Sequence, residues 1–453
     1  MPKRYQKTKI GEHHLHPETQ MMSYGFDPFM SQGAVKPPVF LTSTFAFESA
    51  EHGEEFFHMV AGRKPAPEGE KAGLVYSRFN QPNMEIVEDR LALYEGTQSA
   101  AVFASGMGAL SAVFLTFLRP SDVIVHSQPL YGGTETLITK VLKQFGIHAV
   151  GFFDDLKGEN FKTALEEAKT LCAKHGSTLG LVHLETPANP TNALIDFESI
   201  VKTLDAYTAE TGAERPVVMC DNTLMGPVYQ KPCQHGIDLS AYSLTKYIGG
   251  HSDLVAGSVC GSAELLQRIK LTRSAFGMQL DPHSCWMISR SLETLSIRME
   301  RATQSAGKVA KWLADNPYCD VELLHPEHIE DANYQRVYKA QCTGASSTFA
   351  FQFKVTPDQA KAVSFKFINA LNLFKSAVSL GGTESLICHP ASTTHSGVPL
   401  EEREKVGVDD SLVRLSVGLE HPDDLIADLD HAFAVVFSEK RPSASNNSKA
   451  LSN

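Results

Sequence analysis

No stretch of this 453-residue chain approaches the ~18 consecutive apolar residues that suggest a membrane span. It has no basic block, and its formal net charge is −11. That balance argues against nucleic acid or an anionic membrane surface as the main partner. The first residues, MPKRYQKTKIGEHHLHPE, lack the apolar stretch of a secretory signal, so a cytoplasmic location is expected. The eight cysteines are Cys172, Cys220, Cys233, Cys260, Cys285, Cys319, Cys342 and Cys388. They form no CxxC pair and no zinc-ribbon spacing. Several sit in apolar runs, where a thiol acts as a small hydrophobe, and they read as reduced and structural. No internal repeat is present. The histidines His13, His14 and His16 could bind a metal, but a solvated loop is the better reading, and no metal is expected.

What is present suits a soluble globular protein: 42% hydrophobic and 21% charged residues. The length predicts two or three domains. Residues 1–80 read as an irregular N-terminal arm, with a polar loop or insertion at 62–73 (GRKPAPEGEKAG). The stretch MEIVEDRLALYEG predicts a helix stopped by Gly96. Short apolar segments then alternate with helical ones. The strand candidates are AAVFAS, DVIVHS, HAVGFF, LGLVHLE, PVVMCDN, LSAYSLT and LVAGSVCG. This α/β alternation predicts a mainly parallel sheet covered by helices on both faces, occupying residues 81–295. Ligands of such sheets bind at the carboxyl ends of the strands. Residues 296–440 predict a smaller α/β domain around TFAFQFKV and LVRLSVGL. The polar residues 441–453 read as disordered.

Four segments carry chemistry. In LSAYSLTKYIGGHSD, Lys246 follows an apolar strand and precedes a glycine-rich turn. Partial desolvation there lowers a lysine pKa and frees its amine to attack a carbonyl, although a strand-end lysine taken alone is more often exposed. Ser243 and Thr245 place hydroxyls beside it, suited to a phosphate. In PVVMCDNT, Asp221 ends an apolar strand, where a buried cation would offset its desolvation; a turn-capping aspartate is the alternative. In AAVFASGMGAL, a strand runs through Ser105 into Gly106 and Met107 at a helix start, which can bind an anion or be purely structural. In HSQPLYGGTET, Tyr131 could stack on an aromatic ring and serve as acid or base, or be an ordinary rim tyrosine. His251 and Asp253 lie within the lysine segment and read as support for its loop.

These segments together resemble the cysteine/methionine metabolism (trans-sulfuration) family of pyridoxal-phosphate enzymes. The resemblance runs from PPVFLTSTFAF at residue 37 to LVRLSVGLEHPDDLIADL ending at residue 429. Its motifs stand in the family's order: YSRFNQPN, SGMGAL, YGGT, ETPANPTN, DNT, SLTKYIGGHSD, SLGGTESLICHPASTTH and VRLSVGLE. The resemblance implies a fold of the aspartate-aminotransferase type (fold type I) with a seven-stranded sheet, and pyridoxal 5'-phosphate as cofactor. It implies Lys246 as the Schiff-base lysine and proton shuttle, Asp221 against the pyridine nitrogen, Tyr131 stacked on the ring and Asn189 near the phenolic oxygen. Gly106, Met107, Ser243 and Thr245 would hold the phosphate. Tyr76 and Arg78 would reach the phosphate of a neighbouring subunit, making a homodimer the minimal active unit within an expected homotetramer. Arg414 and Ser379 would hold the substrate carboxylate, for which a planar guanidinium is suited.

The implied activity is γ-elimination or γ-replacement on sulfur amino acids or O-acylated homoserine. Family members that handle cystathionine often carry Glu just before the serine of the SLGG motif. Here Val378 stands there, which leans towards a methionine γ-lyase releasing 2-oxobutyrate, ammonia and a thiol. Cystathionine γ-synthase and O-acylhomoserine sulfhydrylase remain the alternatives, since Gly133 stands where methionine γ-lyases often have Cys and the segments GGHSDLVAG and SLGGTESLI look like cystathionine γ-synthase. A non-catalytic, cofactor-binding regulator is the alternative of another class.

Overall fold

The computed structural model describes residues 6–60, 63–64, 73–153, 156–316, 318 and 320–437. The expected insertion at 62–73 lies mostly outside these residues, and the expected disordered tail at 441–453 lies wholly outside them. In the arm, β1 (Lys9–Ile10) and β2 (His13–His14) form a short antiparallel ladder with exposed histidines. The helix Pro82–Glu95 starts where the Gln81 side chain accepts the N–H of Asn83. It stops at Gly96, whose φ of 83° is a left-handed conformation that glycine adopts without a Cβ penalty.

Seven strands form the large sheet: β3 (Ser99–Phe103), β4 (Val123–Gln128), β5 (His148–Phe153), β6 (Leu179–Glu185), β7 (Val217–Asp221), β8 (Leu239–Ser243) and β9 (Gly257–Gly261). Their order is β3-β9-β8-β7-β6-β4-β5. From β5 to β8 every neighbouring pair is parallel, while β9 runs antiparallel to both β8 and β3. The reversal has a local cause. Residues 244–256 contain no helix, and a parallel return needs a crossover that is usually helical. One face packs against the helices Gly106–Phe117 and Ala263–Phe276, the other against Glu159–His175 and Phe197–Thr211.

The long helix Leu295–Ala314 leads to a second sheet of β10 (Val321–Leu324), β11 (Thr348–Phe353), β12 (Lys375–Ser376), β13 (Leu386–Cys388) and β14 (Leu412–Ser416), ordered β10-β11-β14-β13-β12. Its core is rich in phenylalanine, with Phe349, Phe351, Phe353, Phe367 and Phe433 all nearly inaccessible to water. Among the described residues no helix is long and apolar enough to cross a membrane. The seven described cysteines carry free thiols. What positions the site is the meeting of two edges: the carboxyl ends of β6, β7 and β8, and the centre of β14 with the loop before β13.

Candidate active site

Strand β3 runs directly into a helix start. The Ser105 hydroxyl accepts the Gly108 N–H at 2.9 Å, which caps the helix Gly106–Phe117. The first N–H groups of any helix lack helical partners and attract anions. Two glycines let β3, β8 and β9 close around this point. A Cβ on Gly106 would lie 3.1 Å from Cβ of Ser243, and one on Gly257 only 2.3 Å from the Ser105 carbonyl oxygen. Ser243 and Thr245 therefore stand beside the helix start. With Gly106 and Met107 they line a cavity of about 240 Å³.

Lys246 lines the same cavity from the turn after β8, where its N–H reaches the Ser243 carbonyl at 3.1 Å. Its Nζ donates to Ser379 Oγ at 2.9 Å. Burial first, and then the neighbouring Arg414 charge, hold its pKa down at about 8. Arg414 lies in β14 with a side chain only 1% exposed. Its guanidinium donates to the carbonyls of Val378 (3.0 Å) and Ser379 (2.7 Å) and to Asn189 Oδ1 (3.1 Å). Its Nε is buried without a partner, a donor left free in a desolvated site.

The opposite wall is acidic. Asp221 closes β7, and its Oδ1 accepts from the Thr223 N–H (3.1 Å) and hydroxyl (2.6 Å). Glu185 closes β6 in the paired register position. One Glu185 oxygen accepts the Tyr131 N–H at 2.6 Å and the other the Asn189 N–H at 3.2 Å. Burial and the Asp221 charge push Glu185 up to about 8, and burial raises Asp221 also, against its Thr223 hydrogen bonds. Tyr131, 44% exposed, stands at the cavity mouth. Gly133 leaves its ring room: a Cβ there would lie 2.6 Å from Tyr131 Cε1.

The structure thus gathers Lys246, Asp221, Tyr131, Asn189, Gly106, Met107, Ser243, Thr245 and Arg414 around one cavity, with Ser379 bonded to Lys246. Tyr76 and Arg78 do not line it. Tyr76 is 41% exposed, and Arg78 donates to the Ser274 carbonyl at 2.7 Å with its guanidinium over the Phe79 ring. His251 bonds the Gly249 carbonyl through Nδ1 at 2.7 Å, within the lysine loop. Sequence reasoning missed Glu185, although its signal was there: an acid ending an apolar strand, as Asp221 does. Pyridoxal phosphate fits this donor set. A helix start with two hydroxyls suits the phosphate, the acid pair lies across the cavity, and an amine of lowered pKa stands between. The unpartnered Arg414 Nε is a free donor suited to a carboxylate.

A sequence model of the family described as Cys/Met metabolism PLP-dependent enzyme matches residues 18–434. The chain is 36% identical over 416 residues to an L-methionine gamma-lyase of Pseudomonas deceptionensis, covering 91% of this chain and 96% of that one. It is 34% identical over 427 residues to a human cystathionine gamma-lyase, covering 93% and 94%. Among solved structures, a cystathionine gamma synthase from Xanthomonas oryzae pv. oryzae, bound to aminoacrylate and cysteine, superposes with a TM-score of 0.79 at 29% identity. That match covers 94% of this chain and 99% of the other.

Proposed function

The chain belongs to the Cys/Met metabolism family of pyridoxal-phosphate-dependent enzymes, and from that premise we propose that it is a carbon–sulfur lyase of the methionine γ-lyase kind. The reaction would convert methionine and water to 2-oxobutyrate, ammonia and methanethiol. The observation that carries this reading is the charge of the cavity lining. Among the described residues, Lys246 and Arg414 are its only cations, and Val255, Val378, Leu380 and Leu224 supply an apolar remainder. One carboxylate finds a partner there. A second amino-acid head, as in cystathionine, would meet no further cation of this chain in that lining.

Bound pyridoxal phosphate supplies an electron sink for the bonds at Cα and Cβ. The chain's residues do the rest. Arg414 holds the substrate carboxylate and so aims Cα at Lys246. Ser379 Oγ orients Lys246 Nζ, which takes the Cα proton; its lowered pKa leaves a useful neutral fraction near pH 8. Asp221 would set a negative charge against the ring nitrogen. Asn189, bonded to Arg414, would lie near the ring's phenolic oxygen. Gly106, Met107, Ser243 and Thr245 would hold the phosphate. Tyr131 would cover the ring and serve as acid or base at the departing sulfur. Tyr76 and Arg78, which lie outside this cavity in one subunit, complete a neighbour's phosphate site, so the proposal includes a homodimer as active unit, assembled into a homotetramer. It also includes a cytoplasmic location, in keeping with free thiols, and boundaries near residues 80, 295 and 440 between arm, large domain, small domain and tail.

A γ-replacement of an O-acylated homoserine by cysteine or sulfide is the second reading. The exposed mouth, with Val378 at 56% and Tyr131 at 44%, leaves a thiol co-substrate room to enter. Steady-state assays of methionine, cystathionine, O-acetylhomoserine and O-succinylhomoserine, each with and without cysteine or sulfide, separate the two. Release of 2-oxobutyrate from methionine without added thiol is expected. Thioether formation only, from an acylated homoserine and a thiol, would replace the lyase by the synthase. No turnover of any of them by cofactor-loaded protein would leave a binding regulator.

A further inference from the structure

We propose that Glu185 is a positioning residue that carries, in the loaded site, the proton that it and Asp221 must share, and that braces Tyr131 and Asn189 against each other beside the ring. The inference rests on the cofactor placement proposed above. Glu185 and Asp221 end adjacent parallel strands at paired positions, so their side chains enter one desolvated corner. Two carboxylates so placed cannot both ionise without a compensating charge. The ring nitrogen compensates one. Asp221 is the one prepared for it, because both Thr223 donors go to a single oxygen and leave the other for the ring.

Glu185 has no ion-pair partner among the described residues. Its surroundings add negative charge: Asp221 from β7, and Glu135 from the helix Gly132–Thr136. The cavity's cations are committed elsewhere, Lys246 to Ser379 and Arg414 to Asn189, Val378 and Ser379. With a side chain only 6% exposed, desolvation and the Asp221 charge favour the neutral acid, against the two main-chain N–H groups that Glu185 accepts. Its geometry is that of a brace. One carboxyl group spans the Tyr131 and Asn189 main chains, and these residues belong to segments that follow different strands. Ionisation of Glu185 would place a second negative charge beside the ring and weaken cofactor binding.

Infrared spectra of the whole protein, cofactor-free and loaded, test this. The wild type minus Glu185→Gln difference should show one protonated-carboxyl band near neutral pH in both states, and in the cofactor-free protein it should fade as pH rises past about 8. Glu185→Gln keeps the neutral shape but accepts only one of the two N–H groups. Its cofactor affinity should fall about tenfold, the effect of one lost hydrogen bond, and should no longer weaken above that pH. Should that variant not fold, ¹³C-glutamate labelling of the wild type reads the same band in each state, and its shift on loading in the loaded-minus-free spectrum. A band that responds to ¹³C-aspartate instead, or no band at position 185, overturns the proposal. So does an alkaline loss of cofactor affinity that survives in Glu185→Gln. None of these readouts uses a substrate. A chain that proves to be a synthase leaves them standing, and a cofactor that fails to bind at all sinks the functional reading while the cofactor-free spectra still decide where the proton sits.

Discussion

At the scale of single residues, Arg414 and Lys246 make the sharpest claims. Arg414 is buried with three donated hydrogen bonds and one free donor. Lysine keeps the charge and loses the fork. Arg414→Lys is expected to lower kcat/KM for the amino acid by roughly a hundredfold, the loss of a charged, directed contact, while the cofactor's visible absorbance persists. Loss of the absorbance instead would move Arg414 to the cofactor. For Lys246, borohydride reduction and peptide mapping should find the cofactor on residue 246, and Lys246→Ala should lose the covalent link; label on another lysine refutes the assignment. A rate experiment tests the lowered pKa. Only the neutral amine attacks the cofactor aldehyde, so the rate of cofactor uptake by cofactor-free protein should climb with pH and level off above about 8. A plateau delayed to the ordinary lysine range would show that burial does not act on Nζ. The sequence made Lys246 and Asp221 legible because each ends an apolar run within one short segment. It did not show that Arg414 reaches Asn189, 225 positions away, or that Glu185 braces Tyr131.

At the scale of elements, the strands were legible because strands buried on both faces read as near-continuous apolar runs. The direction of β9 was not: LVAGSVCG has the apolar character of its parallel neighbours, and only the helix-free connection from β8 turns it around. The strands also bury two histidines side by side. His126 of β4 and His183 of β6 are register partners, 3% and 0% exposed, and both His183 nitrogens lack partners. Burial lowers His126 to about 4 and His183 to about 3 from an ordinary 6.5. In that window the unfolded chain binds more protons than the folded one. Stability is therefore full above pH 6.5 and drains as pH falls towards the folded values, by about 1.4 kcal/mol per pH unit for each histidine. His183→Leu, which cannot take the proton, should flatten the acid side of a plot of unfolding free energy against pH by about that slope. An unchanged slope would mean that His183 is already protonated in the fold.

At the scale of the whole molecule, the positions of Tyr76 and Arg78 outside the cavity turn the active site into a question of assembly. Arg78→Ala is expected to weaken cofactor retention about tenfold or more, since a phosphate would lose a charge-assisted partner. Mixing inactive Lys246→Ala with inactive Arg78→Ala, after dissociation and reassociation, should restore part of the activity, because one site of the mixed dimer combines intact Lys246 with the other chain's intact Arg78. No recovery despite proven subunit exchange would assign Arg78 to its own chain. The order of motifs, the alternating elements and the chemistry of each contiguous segment were all present in the sequence, because a strand end, its turn and the following helix start are neighbours in the chain. What only the tertiary structure decided is which of those ends face each other. Strand register pairs Glu185 with Asp221, glycine contacts seat Ser243 on the Gly106 helix start, and β14 carries Arg414 behind Ser379. Those contacts come from packing between distant segments, and local propensity carries no information about them.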